Sequence, residues 1–149
     1  MKAMMLASPK ILLVDDNRDG LVVRKLLLEE IGFSVVTAGS GEEALRLFSP
    51  GTYGLVVTDY RMPQMNGTEL IGHIRQMEPQ ARIILLSGFV EPLGLNEQNT
   101  GANAVITKNA REATHLVRCV KRLMNAPAPR KPMANEGQSR SRVRGNLAN

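Results

Sequence analysis

Leu55-Val56-Val57-Thr58-Asp59-Tyr60-Arg61-Met62-Pro63-Gln64-Met65-Asn66-Gly67 opens on four residues that suit burial on both faces of a strand, and it closes on turn residues. A run this short, β-branched and bounded by turn signals reads as a strand of a parallel sheet. Four other segments repeat the pattern: Ile11-Leu12-Leu13-Val14, Val35-Val36-Thr37, Ile83-Ile84-Leu85-Leu86 and Ala104-Val105-Ile106-Thr107. Between them lie helical patterns. Leu21 to Ile31 is closed by Gly32, Ser40-Gly41-Glu42-Glu43 opens a helix running to Phe48, Asn66 or Gly67 opens one running to Met77, and Thr114 to Met124 carries the last. The connection from Val90 to Gly101 holds Pro92, Gly94, Asn96, Asn99 and Thr100, which predicts a short or partly irregular helix. Strand and helix alternating five times predicts an α/β, doubly wound, five-stranded parallel sheet with helices on both faces.

In such a sheet ligands bind outside the carboxyl ends of the strands. The first strand ends in Asp15-Asp16, the third in Asp59, the fourth in Ser87 and the fifth in Lys108, so these five side chains should meet on one edge. Crowded carboxylates are costly: two unit charges about 4 Å apart repel by about 4 kcal/mol at an effective dielectric near 20. Lys108 offsets part of that. A bound Mg²⁺, which takes oxygen ligands and keeps room for phosphate oxygens, would offset the rest. A carboxylate can carry a phosphoryl group as a nucleophile. Phosphoryl transfer then depends on positioning and on neutralising the equatorial oxygens, for which a lysine and a hydroxyl are the right types. Gly88 is expected to leave space for a group approaching Asp59.

The Asp-x-x-Met-Pro-x-Met-x-Gly stretch from Asp59 to Gly67, with Asp15-Asp16 after the first strand, Ser87 after the fourth and Lys108 after the fifth, resembles the response-regulator receiver family. The resemblance covers roughly residues 10–124. It implies a flavodoxin-like strand order 2-1-3-4-5 and a phosphoacceptor role for Asp59. Asp16, Asp59 and the backbone carbonyl of Arg61 would ligate Mg²⁺ or Mn²⁺, and Asp15 would act largely through water. Ser87 would bond a phosphoryl oxygen and Lys108 would pair with the phosphoryl group. The implied phosphodonor is a sensor histidine kinase or a histidine phosphotransfer protein, and the implied output is a protein–protein contact with an unidentified partner. No enzymatic turnover is expected beyond self-phosphorylation and autodephosphorylation.

Three departures from the family pattern fall on the face that commonly carries output. Asn109 stands where receivers usually have a proline after the lysine, in a cis peptide bond. Val105 stands where a Tyr or Phe usually rotates as a switch. The third is the helix-poor Val90–Gly101 segment; for the missing aromatic, Phe89 is a weak substitute. They motivate a second reading, a degenerate receiver used as a phosphorylation-independent docking module. A phosphatase with an aspartyl nucleophile fits poorly, since its nucleophile would follow the first strand and it would need a cap domain.

Composition sets the outer bounds. The chain has 149 residues, 43% of them hydrophobic and 22% charged, enough for one aliphatic core. Its net charge of +5 is a property of the tail. From Ala126 onward Arg130, Lys131, Arg140, Arg142 and Arg144 face Glu136 alone, which leaves +1 for the rest. The domain reading is therefore an N-terminal extension at 1–9, a receiver at 10–125 and a disordered basic tail at 126–149, which has no folded motif for nucleic acid. The single cysteine, Cys119, reads as a small core or helix-face residue, and without a disulfide framework a cytoplasmic setting is expected. No run reaches the length of a bilayer span. A monomer or weak dimer is expected. His73 and His115 read as surface residues. Taken alone, Asp15-Asp16 could cap the first helix, and Lys108 could be a solvated lysine.

Overall fold

The computed structural model of the protein describes residues 10–88 and 93–125. The extension at 1–9, the tail at 126–149, Phe89 and the start of the Val90–Gly101 segment lie outside the described residues. Five strands form one parallel sheet: β1 (Lys10–Val14), β2 (Ser34–Ala38), β3 (Leu55–Asp59), β4 (Ile83–Ser87) and β5 (Ala104–Thr107). Their order is 2-1-3-4-5, as expected. The helices are α1 (Arg18–Glu30), α2 (Gly41–Leu47), α3 (Gly67–Met77), α4 (Glu97–Thr100) and α5 (Glu112–Asn125).

The period-2 alternation of the strands divides the core into two layers. Leu12, Val14, Val56, Ile83 and Leu85 face α2 and α3, where Ala44, Leu70, Ile71 and Ile74 close the layer. Ile11, Leu13, Val57, Ile84 and Ile106 face α1 and α5, where Leu28, Leu116, Val120 and Leu123 close the other. Both faces of β3 and β4 are buried along their whole length. The apolar stretches had to be unbroken for that reason: neither face of these strands meets water. Cys119 packs at the margin of the second layer, in keeping with its reading as a helix-face residue.

Two helix starts differ from the sequence reading, each through an Asn side chain. α1 begins at Arg18 rather than Leu21, because the Asn17 side chain accepts a hydrogen bond from the Gly20 N–H and caps the helix. The cap is thus Asn17 and not the aspartate pair. α5 begins at Glu112 rather than Thr114, because Asn109 receives the Arg111 N–H on its side chain and the Glu112 N–H on its carbonyl. α3 opens where expected, with a reciprocal capping box between Asn66 and Glu69. In the described part of the Val90–Gly101 segment, α4 is a single turn ending on Gly101 at φ 82°.

Candidate functional site

The switch point of the strand order lies between β1 and β3, whose crossovers leave toward opposite edges of the sheet. Val14 pairs with Thr58 there, so the residues that follow them emerge side by side. Asp15 continues β1 by donating its N–H to the Ala38 carbonyl. Asp59 ends β3 beside Leu86, and Ser87 pairs with Thr107 just before Lys108. These residues line a cleft of about 410 Å³ with Asp16, Asn17, Arg61 and Gly88. All six sequence-derived site residues therefore meet in one place.

Asp15, Asp16 and Asp59 each present a carboxylate oxygen, and these oxygens lie within 4.8 Å of one another. Asp15 and Asp59 are buried and Asp16 is exposed. Lys108 Nζ stands 2.6 Å from Asp59 Oδ1 and 4.0 Å from Asp15 Oδ2. Burial raises the Asp59 pKa above the usual aspartate value; the Lys108 hydrogen bond and charge oppose the rise, and the Asp15 charge adds to it. Three carboxylates face one lysine within the cleft, which leaves an excess of negative charge there. Hard oxygen donors in that arrangement fit a divalent cation.

The loop after β3 is held by its backbone. Gly67 donates its N–H to the Tyr60 carbonyl at 2.7 Å. A Cβ at Gly67 would fall 2.5 Å from the Asp59 carbonyl oxygen and 2.6 Å from Leu85 Cδ1, so only glycine fits under the loop that follows β3. Gly88 is different: a Cβ there would meet nothing within 4 Å, so the open approach to Asp59 does not depend on glycine. No peptide bond among the described residues is cis, that between Lys108 and Asn109 included. Without the proline ring the loop takes the trans form that any other residue prefers. Val105 is partly buried against the α2–α3 layer. Arg61 and His73 are exposed, and His115 is partly exposed.

One charged residue escaped the sequence reading. Arg24, on α1, meets Asp15 from behind the cleft, with Nη1 2.8 Å from Asp15 Oδ2. Its Nε and Nη2 grip both oxygens of Glu112 at 2.6 and 3.1 Å. The only trace in the sequence is Gly20, one helical turn before Arg24, an odd glycine inside an otherwise good helix.

A family model for the response regulator receiver domain matches residues 11–121. Over 144 residues the chain is 32% identical to the alkaline phosphatase synthesis transcriptional regulatory protein PhoP of Bacillus subtilis, covering 93% of this chain and 59% of PhoP. Over 81 residues it is 33% identical to the autoinducer 1 sensor kinase/phosphatase LuxN of Vibrio harveyi, covering 54% of this chain and 10% of LuxN. The chain thus spans only part of these curated relatives. Among solved structures, the response regulator protein TrrA of Thermotoga maritima in complex with Mg²⁺-BeF superposes with a TM-score of 0.68 at 35% identity, covering 77% of this chain and 98% of TrrA.

Proposed function

The chain belongs to the response regulator receiver domain family, and on that premise we propose that Asp59 accepts a phosphoryl group from a histidine kinase or a histidine phosphotransfer protein. The observation that carries this reading is the cleft itself: three carboxylate oxygens within 4.8 Å of one another, with the Lys108 ammonium 2.6 Å from Asp59. Asp16, Asp59 and the Arg61 carbonyl are the residues to hold Mg²⁺ or Mn²⁺, with Asp15 behind them through water. When bound, that cation would neutralise phosphoryl oxygens and the acidic trio.

The chain's own residues supply the rest. An Asp59 carboxylate oxygen attacks phosphorus, a P–O bond forms, the P–N bond to the donor imidazole breaks, and the imidazole nitrogen leaves with the bonding pair. Lys108 exchanges its contact with the Asp59 carboxylate for one with a phosphoryl oxygen. The Ser87 hydroxyl donates to another. The product is an acyl phosphate whose new charge is held by groups from β4 and β5, so phosphorylation biases the loops that follow those strands. A full shift from 1:99 to 99:1 requires about 5.5 kcal/mol of differential stabilisation, a scale that several charge-assisted hydrogen bonds can reach. The chain acts as a switch rather than as an enzyme, and a protein partner reads its state. The exposed Val22, Val23 and Leu26 on α1 offer an apolar surface for protein contact beside the cleft.

The docking-module reading keeps one specific support, the small Val105 with a trans Asn109 beside it. A single experiment separates the two. Incubation with phosphoramidate and Mg²⁺ should add one phosphoryl group by intact mass, and Asp59→Asn should remain unlabelled. Wild-type protein that stays unlabelled with phosphoramidate, acetyl phosphate and a kinase panel would favour docking alone.

A further inference from the structure

Arg24 is only 12% exposed, yet its guanidinium is shared between two carboxylates on different elements. Toward the cleft it meets Asp15 Oδ2 at 2.8 Å; away from it, both oxygens of Glu112, the first residue of α5. Asp15 has little else to turn to. Its Oδ1 already accepts the Asn17 N–H at 2.9 Å, and Lys108 Nζ lies 4.0 Å from Oδ2. The path between Arg24 and Asp15 exists because residue 20 is glycine. A Cβ there would stand 2.8 Å from Arg24 Nη1 and 3.2 Å from Asp15 Oδ2. Glycine is a poor helix former, and here it leaves open the passage through which the guanidinium reaches Asp15. Burial alone would lower the Arg24 pKa, but the Glu112 hydrogen bond and charge, with Asp15 and Asp59, hold it above the ordinary value. The guanidinium is therefore a permanent positive charge.

We propose that Arg24 is a positioning residue that competes with the divalent cation for Asp15 and relays occupancy of the cleft to the start of α5 through Glu112. The inference rests on the receiver reading above, because it needs the acidic trio to bind a cation. Two positive centres cannot both draw fully on one carboxylate. A divalent ion among Asp15, Asp16 and Asp59 repels the guanidinium toward Glu112 and tightens the tie between α1 and α5. By thermodynamic reciprocity, whatever holds Arg24 on Glu112 strengthens cation binding, and whatever leaves it to Asp15 alone weakens it. This gives a route from cleft to surface that uses neither a rotating aromatic nor a cis proline, neither of which this chain has at the expected positions.

The test is calorimetric titration of MgCl₂ into the full chain, with a thermal melt of each metal-free variant as a check on folding. Arg24→Met should bind Mg²⁺ roughly tenfold more tightly than wild type, as expected for removing a unit charge a few ångströms from the ion. Glu112→Gln should bind several-fold more weakly, although Glu112 lies outside the cleft. The double variant should match Arg24→Met, because without the guanidinium Glu112 has no hold on Asp15. Should Arg24→Met fail to fold, Gly20→Ala displaces the guanidinium without changing charge and should also tighten binding. Unchanged or weaker Mg²⁺ binding in both Arg24→Met and Gly20→Ala overturns the competition. A double variant that keeps the Glu112→Gln loss overturns the relay and leaves only a long-range field. If wild type and every variant fail to bind Mg²⁺, the receiver reading falls and this inference falls with it. Tighter binding in Arg24→Met that the double variant matches, with weaker binding in Glu112→Gln, supports both the receiver reading and the relay.

Discussion

At Asp59, burial and the neighbouring Asp15 charge act against the Lys108 contact. Its raised pKa means that the folded protein holds the proton more tightly than the unfolded chain does. Ionisation therefore costs stability, and the cost develops as pH rises from the ordinary aspartate value of about 3.9 through the higher folded value. Asp59→Asn removes that cost. In EDTA at neutral pH the variant should melt a few degrees above wild type, and the gap should close on acidification below the ordinary aspartate pKa. Paired thermal melts across pH would measure it; a variant less stable than wild type at neutral pH would mean that the Lys108 contact outweighs the crowding. Gly67 carries the opposite lesson. Alanine there must displace the Asp59 carbonyl or Leu85, an overpacking that costs about 1–3 kcal/mol and moves the phosphoacceptor loop. Chemical denaturation should register the loss of stability, and phosphoramidate labelling should slow in the same variant.

At the scale of elements, how much the sequence discloses depends on what each element faces. The central strands were legible because both of their faces are buried, so each is an apolar run with little room for another reading; the edge strands β2 and β5, only partly buried, were legible from their β-branched residues. Their carboxyl ends followed, and with them Asp15, Asp16, Asp59, Ser87 and Lys108, since topology alone brings strand ends together. Helix boundaries were less legible at α1 and α5. There the apolar pattern starts late, and the true starts are set by hydrogen bonds to Asn17 and Asn109. Arg24 stayed hidden because a helical arginine is normally solvated; only the glycine one turn earlier hints that its side chain goes inward. Where a cap is explicit the consequence is quantitative. Asn66 accepts the Glu69 N–H at 2.9 Å, and Glu69 accepts the Asn66 N–H at the same distance. Asn66→Ala should cost about 1 kcal/mol of folding stability, read as a lower urea midpoint with an unchanged slope.

Across the whole molecule, stabilising and destabilising contributions lie at different depths. The two apolar layers run along the full sheet, while the like charges gather at the carboxyl ends of β1 and β3. Lys108 and Arg24 offset part of that repulsion within the chain, and Arg24 divides its charge with Glu112. A folded protein built this way should be measurably stabilised by a ligand that binds the cleft and not the unfolded chain. Mg²⁺ at about 100 times its dissociation constant should add about 2.7 kcal/mol to the unfolding free energy. The rise in melting temperature should disappear in EDTA and be absent in Asp16→Asn, whose fold has no other reason to change. Sodium chloride at matched ionic strength should do far less, because screening acts weakly on charges as buried as Asp15 and Asp59. Equal stabilisation by the two salts would mean that the acidic edge responds only to bulk ionic strength, with no cation held among the three carboxylates.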